Sequence, residues 1–189
     1  EGTHFGLPDG HRVTEYQLED EIVKHVKQTS GLVLASFSPQ HVDRLVALIR
    51  AAKKSGRTFV VDAYTTYVLH LIRSEIKVPL PGHGGLRMFY PKFFADRKDH
   101  RARETVEKYA SSRIEIDEIV KSPSKFLMVF RESMLEPDFN NELPDGTTCL
   151  YSRWSGYLKN EDWTAASKVF DSCGGKVIEV HTSGHMLSK

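Results

Sequence analysis

The residues from Gly31 to Phe37 form a short, unbroken apolar run. Runs of that length with no polar alternation suit strands buried on both faces of a parallel sheet, because helices must cover each side. A helical stripe of Val42, Leu45, Val46 and Ile49 follows at once, after Ser38-Pro39, which reads as an N-cap and a proline at the first helical position. Gly56 then stands where a C-terminal cap belongs. The unit repeats as a strand from Thr58 to Val61, Asp62, and a helix carrying Tyr67, Val68, Leu71 and Ile72. Strand and helix therefore alternate, the signature of a parallel α/β sheet.

The rest of the chain extends the pattern. Thr14 and Gln17 make a capping box ahead of a first helix through Leu18, Ile22, Val23 and Val26. Leu86 to Tyr90 and Phe126 to Phe130 read as strands, and the charged segment from Asp96 to Val120 as one or two surface helices broken near Ser111-Ser112. The polar stretch from Glu136 to Gly146 reads as a loop. Cys149 to Tyr151 predicts a strand ending at Ser152, Trp163, Ala166, Val169 and Phe170 a last helix, and Val177 to Val180 a final strand running into His181. Five or six strands in this order predict a Rossmann-like three-layer α/β sandwich with a mainly parallel sheet. A chain of 189 residues, 40% hydrophobic, has room for one such core, so residues 1–189 are read as a single domain.

Composition narrows the chemistry. With 26 basic and 25 acidic residues the net charge is +1, so any polyanion site must be local. No apolar run approaches the ~18 residues a membrane helix needs, and the polar start lacks a signal peptide. Cys149 and Cys173 lack C-x-x-C spacing and read as small core residues in a reducing, cytoplasmic setting. The polar start and the His-rich stretch near the end suggest a segment excised from a longer protein. Walker, G-x-S-x-G and G-x-G-x-x-G patterns are missing from the expected places, which removes the usual support for nucleotide hydrolase, esterase and dinucleotide readings.

In parallel sheets ligands meet the C-terminal strand ends. There the sequence places Ser36 and Ser38, Asp62, Arg131-Glu132-Ser133, Ser152-Arg153, and His181-Thr182-Ser183-Gly184-His185. Gly184 permits close approach of a backbone amide to an anion, while Ser183, Thr182 and the imidazoles add donors. A phosphate fits that set, and so does a solvated turn with no ligand. His181 and His185 as a zinc pair are weaker, since the pair sits at a strand end without a glutamate or third ligand nearby. Ser36 and Ser38 lie at a strand-to-helix junction that attracts anions, although Ser38 as a plain N-cap explains it equally well. Ser152 with Arg153, Trp154 and Gly156 offers hydroxyl, cation and stacking surface, against the alternative of a core tryptophan beside a loop. Asp62 has helix capping as its commoner role, and the basic cluster Lys92, Arg97, Lys98, Arg101 and Arg103 reads as a solvated helix face.

Taken together, Glu1-Gly2-Thr3, the unit Ala35-Ser36-Phe37-Ser38 with Val42-Asp43-Arg44-Leu45, the stretch from Tyr151 to Tyr157, and Val180-His181-Thr182-Ser183-Gly184-His185 resemble the β-CASP region of metallo-β-lactamase-fold hydrolases, in the ribonuclease J-like, RNA-metabolising branch. The likeness covers essentially the whole chain. It implies a substrate-binding cap inserted in a zinc-dependent nuclease core, with Glu1 hydrogen-bonding a catalytic-helper His185. It further implies that His181, Ser183, Gly184, Ser152 and Ser38 hold the backbone of single-stranded RNA, or of DNA. Zinc would belong to the parent, whose H-x-H-x-D-H loop is not in this sequence, and none would be bound by this chain, which on its own would be inactive. Met186 departs from the small residue usual after the closing Gly-His pair. A homo-oligomer is open, as are a non-catalytic RNA-binding or assembly module and an unrelated Rossmann-like domain for a phosphate ligand.

Overall fold

The computed structural model of the chain describes residues 15–95 and 100–180. Among them, six strands build one sheet: β1 Val33–Phe37, β2 Thr58–Asp62, β3 Leu86–Phe89, β4 Phe126–Val129, β5 Thr148–Ser152 and β6 Lys176–Glu179. Every neighbouring pair is parallel, in the order β3-β2-β4-β1-β5-β6. The helices are α1 Glu15–Gln28, α2 Val42–Lys54, α3 Ala63–Ile72, α4 Lys92–Ala95, α5 His100–Glu107, α6 Ile116–Lys121, α7 Leu135–Phe139 and α8 Glu161–Ser172. The expected three-layer α/β architecture is what forms, with a sheet that is wholly rather than mainly parallel.

Alternation along each strand supplies two cores. Val33 and Ala35, Phe59 and Val61, Leu127 and Val129 point to one face and pack with Leu18 and Ile22 of α1 and Leu45 and Leu48 of α2. Leu34, Val60, Met128, Cys149 and Tyr151 point to the other, against Ile119 of α6, Phe139 of α7 and Trp163 and Phe170 of α8. Both faces being covered explains why β1 and β4 are buried at every position. A smaller cluster of Ala63, Met88, Phe94, Ala102 and Val106 seats α4 and α5 beside the β3 edge.

Three local expectations change. Ser38 does not cap α2: its carbonyl accepts from His41 N at 2.9 Å in a turn, and the helix starts later, capped by His41 Nδ1 accepting from Arg44 N at 3.2 Å. Residues 136–146 are not all loop, because Leu135 and Phe139 bury themselves against the sheet and draw α7 out of a polar-looking stretch. That helix stops at Asn140 and Asn141, which adopt left-handed φ of 54° and 56°, a conformation asparagine tolerates better than most residues. Trp154 is 53% exposed and is no core residue; the buried tryptophan is Trp163. The Thr14 cap lies outside the described residues.

Gly56 does close α2 in the left-handed region, at φ 69°. Cys149 and Cys173 are free and buried, as expected of core residues. Among the described residues, no helix is long and apolar enough to cross a membrane.

Candidate functional site

The strand order sets where a site forms. β1 and β4 are neighbours, yet the chain leaves β1 for α2 on one face of the sheet and leaves β4 for α7 on the other. Diverging connections open a crevice beyond the C-terminal ends of the two strands, the general position of ligands in open parallel sheets. A cavity of about 340 Å³ occupies it. Its walls come from the turn after β1 (Ser38, Pro39, Gln40), from Tyr64 at the start of α3, and from Arg131, Glu132 and Ser133 after β4. Arg153 after β5 and Asp162 at the start of α8 complete it.

Two arginine pairs organise these walls. Arg131 Nε donates to Asp62 Oδ2 at 2.6 Å, and its guanidinium lies over the Tyr64 ring, 5.4 Å from the centroid. Asp62 is 1% exposed and also caps α3, Oδ1 accepting from Thr65 N at 2.8 Å. Its expected capping role thus holds, with a second role added. Arg131 Nη2 is buried without a hydrogen-bond partner. Arg153 Nη1 donates to Glu132 Oε1 at 2.6 Å and its guanidinium sits 5.2 Å from the Tyr157 centroid. Tyr157 in turn meets the exposed Trp154 edge to face at 5.2 Å. Gln40 Nε2 donates to the Tyr64 hydroxyl at 3.1 Å.

Among the sequence-predicted residues, Ser38 lines the cavity and Ser152 ends β5, in register with Phe37 of β1. They share the C-terminal end of the sheet. The Ser152 and Ser36 hydroxyls are both buried without hydrogen-bond partners. The final strand delivers the chain to the same end: Val180 N donates to Tyr151 O at 2.8 Å, and the buried Arg44 donates from Nη1 to Val180 O at 3.1 Å. His181, Ser183, Gly184, His185 and Glu1 lie outside the described residues, as does the expected Glu1 to His185 pairing. Lys92 and Arg101 are exposed and do not line the cavity, while Arg97 and Lys98 are not described.

Tyr64, Gln40 and Asp162 were invisible as site residues in the sequence. Each sits one to three positions past a strand or at a helix start, and only the strand order reveals which of those ends converge.

Among the described residues, no group of three His, Cys, Asp or Glu side chains is placed to hold a metal ion. The cysteines are no ligands here either, since burial pushes the Cys149 and Cys173 thiols up and keeps them protonated at neutral pH. The described part of the chain does not fit a zinc centre, and no step below runs through one. No protein-family model matches the chain, and no curated protein matches it significantly.

Proposed function

We propose that this chain is a β-CASP cap that grips single-stranded nucleic acid, RNA in the first instance, for a metal-dependent phosphodiesterase whose hydrolytic centre lies in a separate core. One observation carries the reading: the reversal between β1 and β4 opens a polar cavity at the C-terminal ends of the strands, the end of the sheet at which β6 also stops. Hydroxyls, side-chain amides and exposed aromatic rings along one rim are what a strand of nucleic acid contacts through phosphate, sugar and base. In this reading Ser38 and Ser152 flank the strand, His181, Ser183 and Gly184 hold a phosphate, and His185, oriented by Glu1, passes a proton to the leaving oxygen. The buried free thiols suit a reducing cytosol.

The test is a His185→Ala variant of the full-length enzyme. Turnover should fall by about a hundredfold, in the range typical of a positioned general acid, with RNA affinity changed little. Unchanged turnover sinks the role of His185, and tighter binding of single-stranded DNA than of RNA reassigns the substrate. The position of the cavity, at the strand C-terminal ends beside the switch between β1 and β4, favours a second reading, a Rossmann-like domain for a free nucleotide; thermal-shift screening of nucleotides against RNA oligomers separates the two.

A further inference from the structure

The charges around the cavity argue against a phosphate inside it. Its two guanidinium groups, on Arg131 and Arg153, already lie 2.6 Å from the carboxylates of Asp62 and Glu132. A third carboxylate, Asp162, stands in the wall. A phosphate entering would meet cations already neutralised and acceptor-only carboxylates that repel it. What the wall offers besides is of a different kind: acceptors on Glu132 and Asp162, hydroxyls on Ser38 and Ser133, the part of the Gln40 amide not donated to the Tyr64 hydroxyl, and the Tyr64 ring, which Arg131 covers from one side.

We infer that this cavity is a nucleobase site. A base is planar, uncharged, and carries donors and acceptors together along one edge, which is the complement of that wall. The volume of about 340 Å³ stands at the low end of small-molecule sites, roughly 300–1,000 Å³, enough for one base or nucleoside and too small for a dinucleotide. Stacking surface is supplied by Tyr64, and the exposed Trp154 with Tyr157, reached through Arg153, offers a platform for a neighbouring base. The inference deepens the proposed function, on which it rests only for the source of the base: the phosphates run along the rim while one base turns inward and is read by its edge. Base identity would then modulate a grip that the sugar-phosphate backbone alone leaves indifferent to sequence.

The test titrates the full 189-residue chain with adenosine, guanosine, cytidine and uridine, and separately with inorganic phosphate, following backbone amide resonances. At least one nucleoside should move the amides of Ser38, Gln40, Tyr64 and Ser133, with little dependence on salt, and phosphate should leave them in place. Gln40→Ala, at an exposed position, should weaken that nucleoside about tenfold, within the range one stacked and hydrogen-bonded base contributes, with unchanged thermal unfolding; Glu132→Gln should weaken it similarly, at some cost in stability because the same carboxylate accepts from Arg153. Phosphate moving these amides while no nucleoside does overturns the assignment, as does nucleoside binding indifferent to both variants. An RNA oligomer made abasic at each position in turn separates this inference from the reading beneath it. Affinity unaffected by any abasic position removes the base site and leaves the backbone grip standing, whereas nucleoside binding without RNA binding keeps the base site and sinks the RNA cap.

Discussion

Asp62 holds two segments at once, accepting from Thr65 N with one carboxylate oxygen and from Arg131 Nε with the other. It thereby ties the start of α3 to the connection after β4, whose Arg131 lines the cavity. Asp62 is fully buried and Arg131 only partly exposed, so losing the carboxylate strands a cation. Asp62→Asn should keep the cap and cost about 2 kcal/mol, and Asp62→Ala about 3, from the lost pair and the lost cap together. Denaturant unfolding measures both; equal losses would mean that the cap contributes nothing.

Gly156 controls a ring. A Cβ there would stand 2.4 Å from the Trp154 ring, and that ring is an exposed side chain free to swing. Gly156→Ala should leave stability within about 0.5 kcal/mol yet change the Trp154 fluorescence, with buried Trp163 serving as the unaltered internal reference.

Alkali should destabilise the fold in a defined window. Burial pushes the Cys149 thiol far above its ordinary value of 9.0, and the Tyr151 hydroxyl from 10.0 up to about 12. The unfolded chain therefore releases these protons first, so stability is full below about pH 9 and falls as pH rises, by up to ~1.4 kcal/mol per pH unit for each group. Unfolding midpoints followed from pH 8 to 12 should show the decline, and Tyr151→Phe should flatten its upper part from about pH 10.

Arg44 makes the exit of β6 rigid. Its guanidinium is the buried partner of the Val180 carbonyl, and Arg44→Met should leave that carbonyl unsatisfied at a cost of about 1–3 kcal/mol. Hydrogen exchange should speed up first at Val180, whose N–H bonds to Tyr151, and Arg44→Lys should recover part of the protection.

The strands were legible in the sequence because their apolar runs are local, and so were the ends where polar groups collect. The site was less so, for a physical reason. Arg131 follows a strand and Asp62 precedes a helix, and each has an ordinary local explanation; their pairing depends on β4 lying beside β2, a non-local fact. α7 escaped detection because it is five residues long and buries only two apolar residues, Leu135 and Phe139, beside the polar Asp138. Trp154 stayed open between a stacking surface and a core position because a tryptophan in a short loop carries no periodic signal of burial.

The strand order also has a consequence for how the chain is made. β4 lies between β1 and β2, so a nascent chain that has emerged only as far as β3 holds two strands with a vacant slot between them. Until Phe126 to Val129 arrive, the facing edges of β1 and β2 have no partner within the molecule and are open to pairing with another chain. Folding of this domain on the ribosome is therefore expected to wait for its second half, and slow synthesis between β3 and β4 should favour aggregation over early folding.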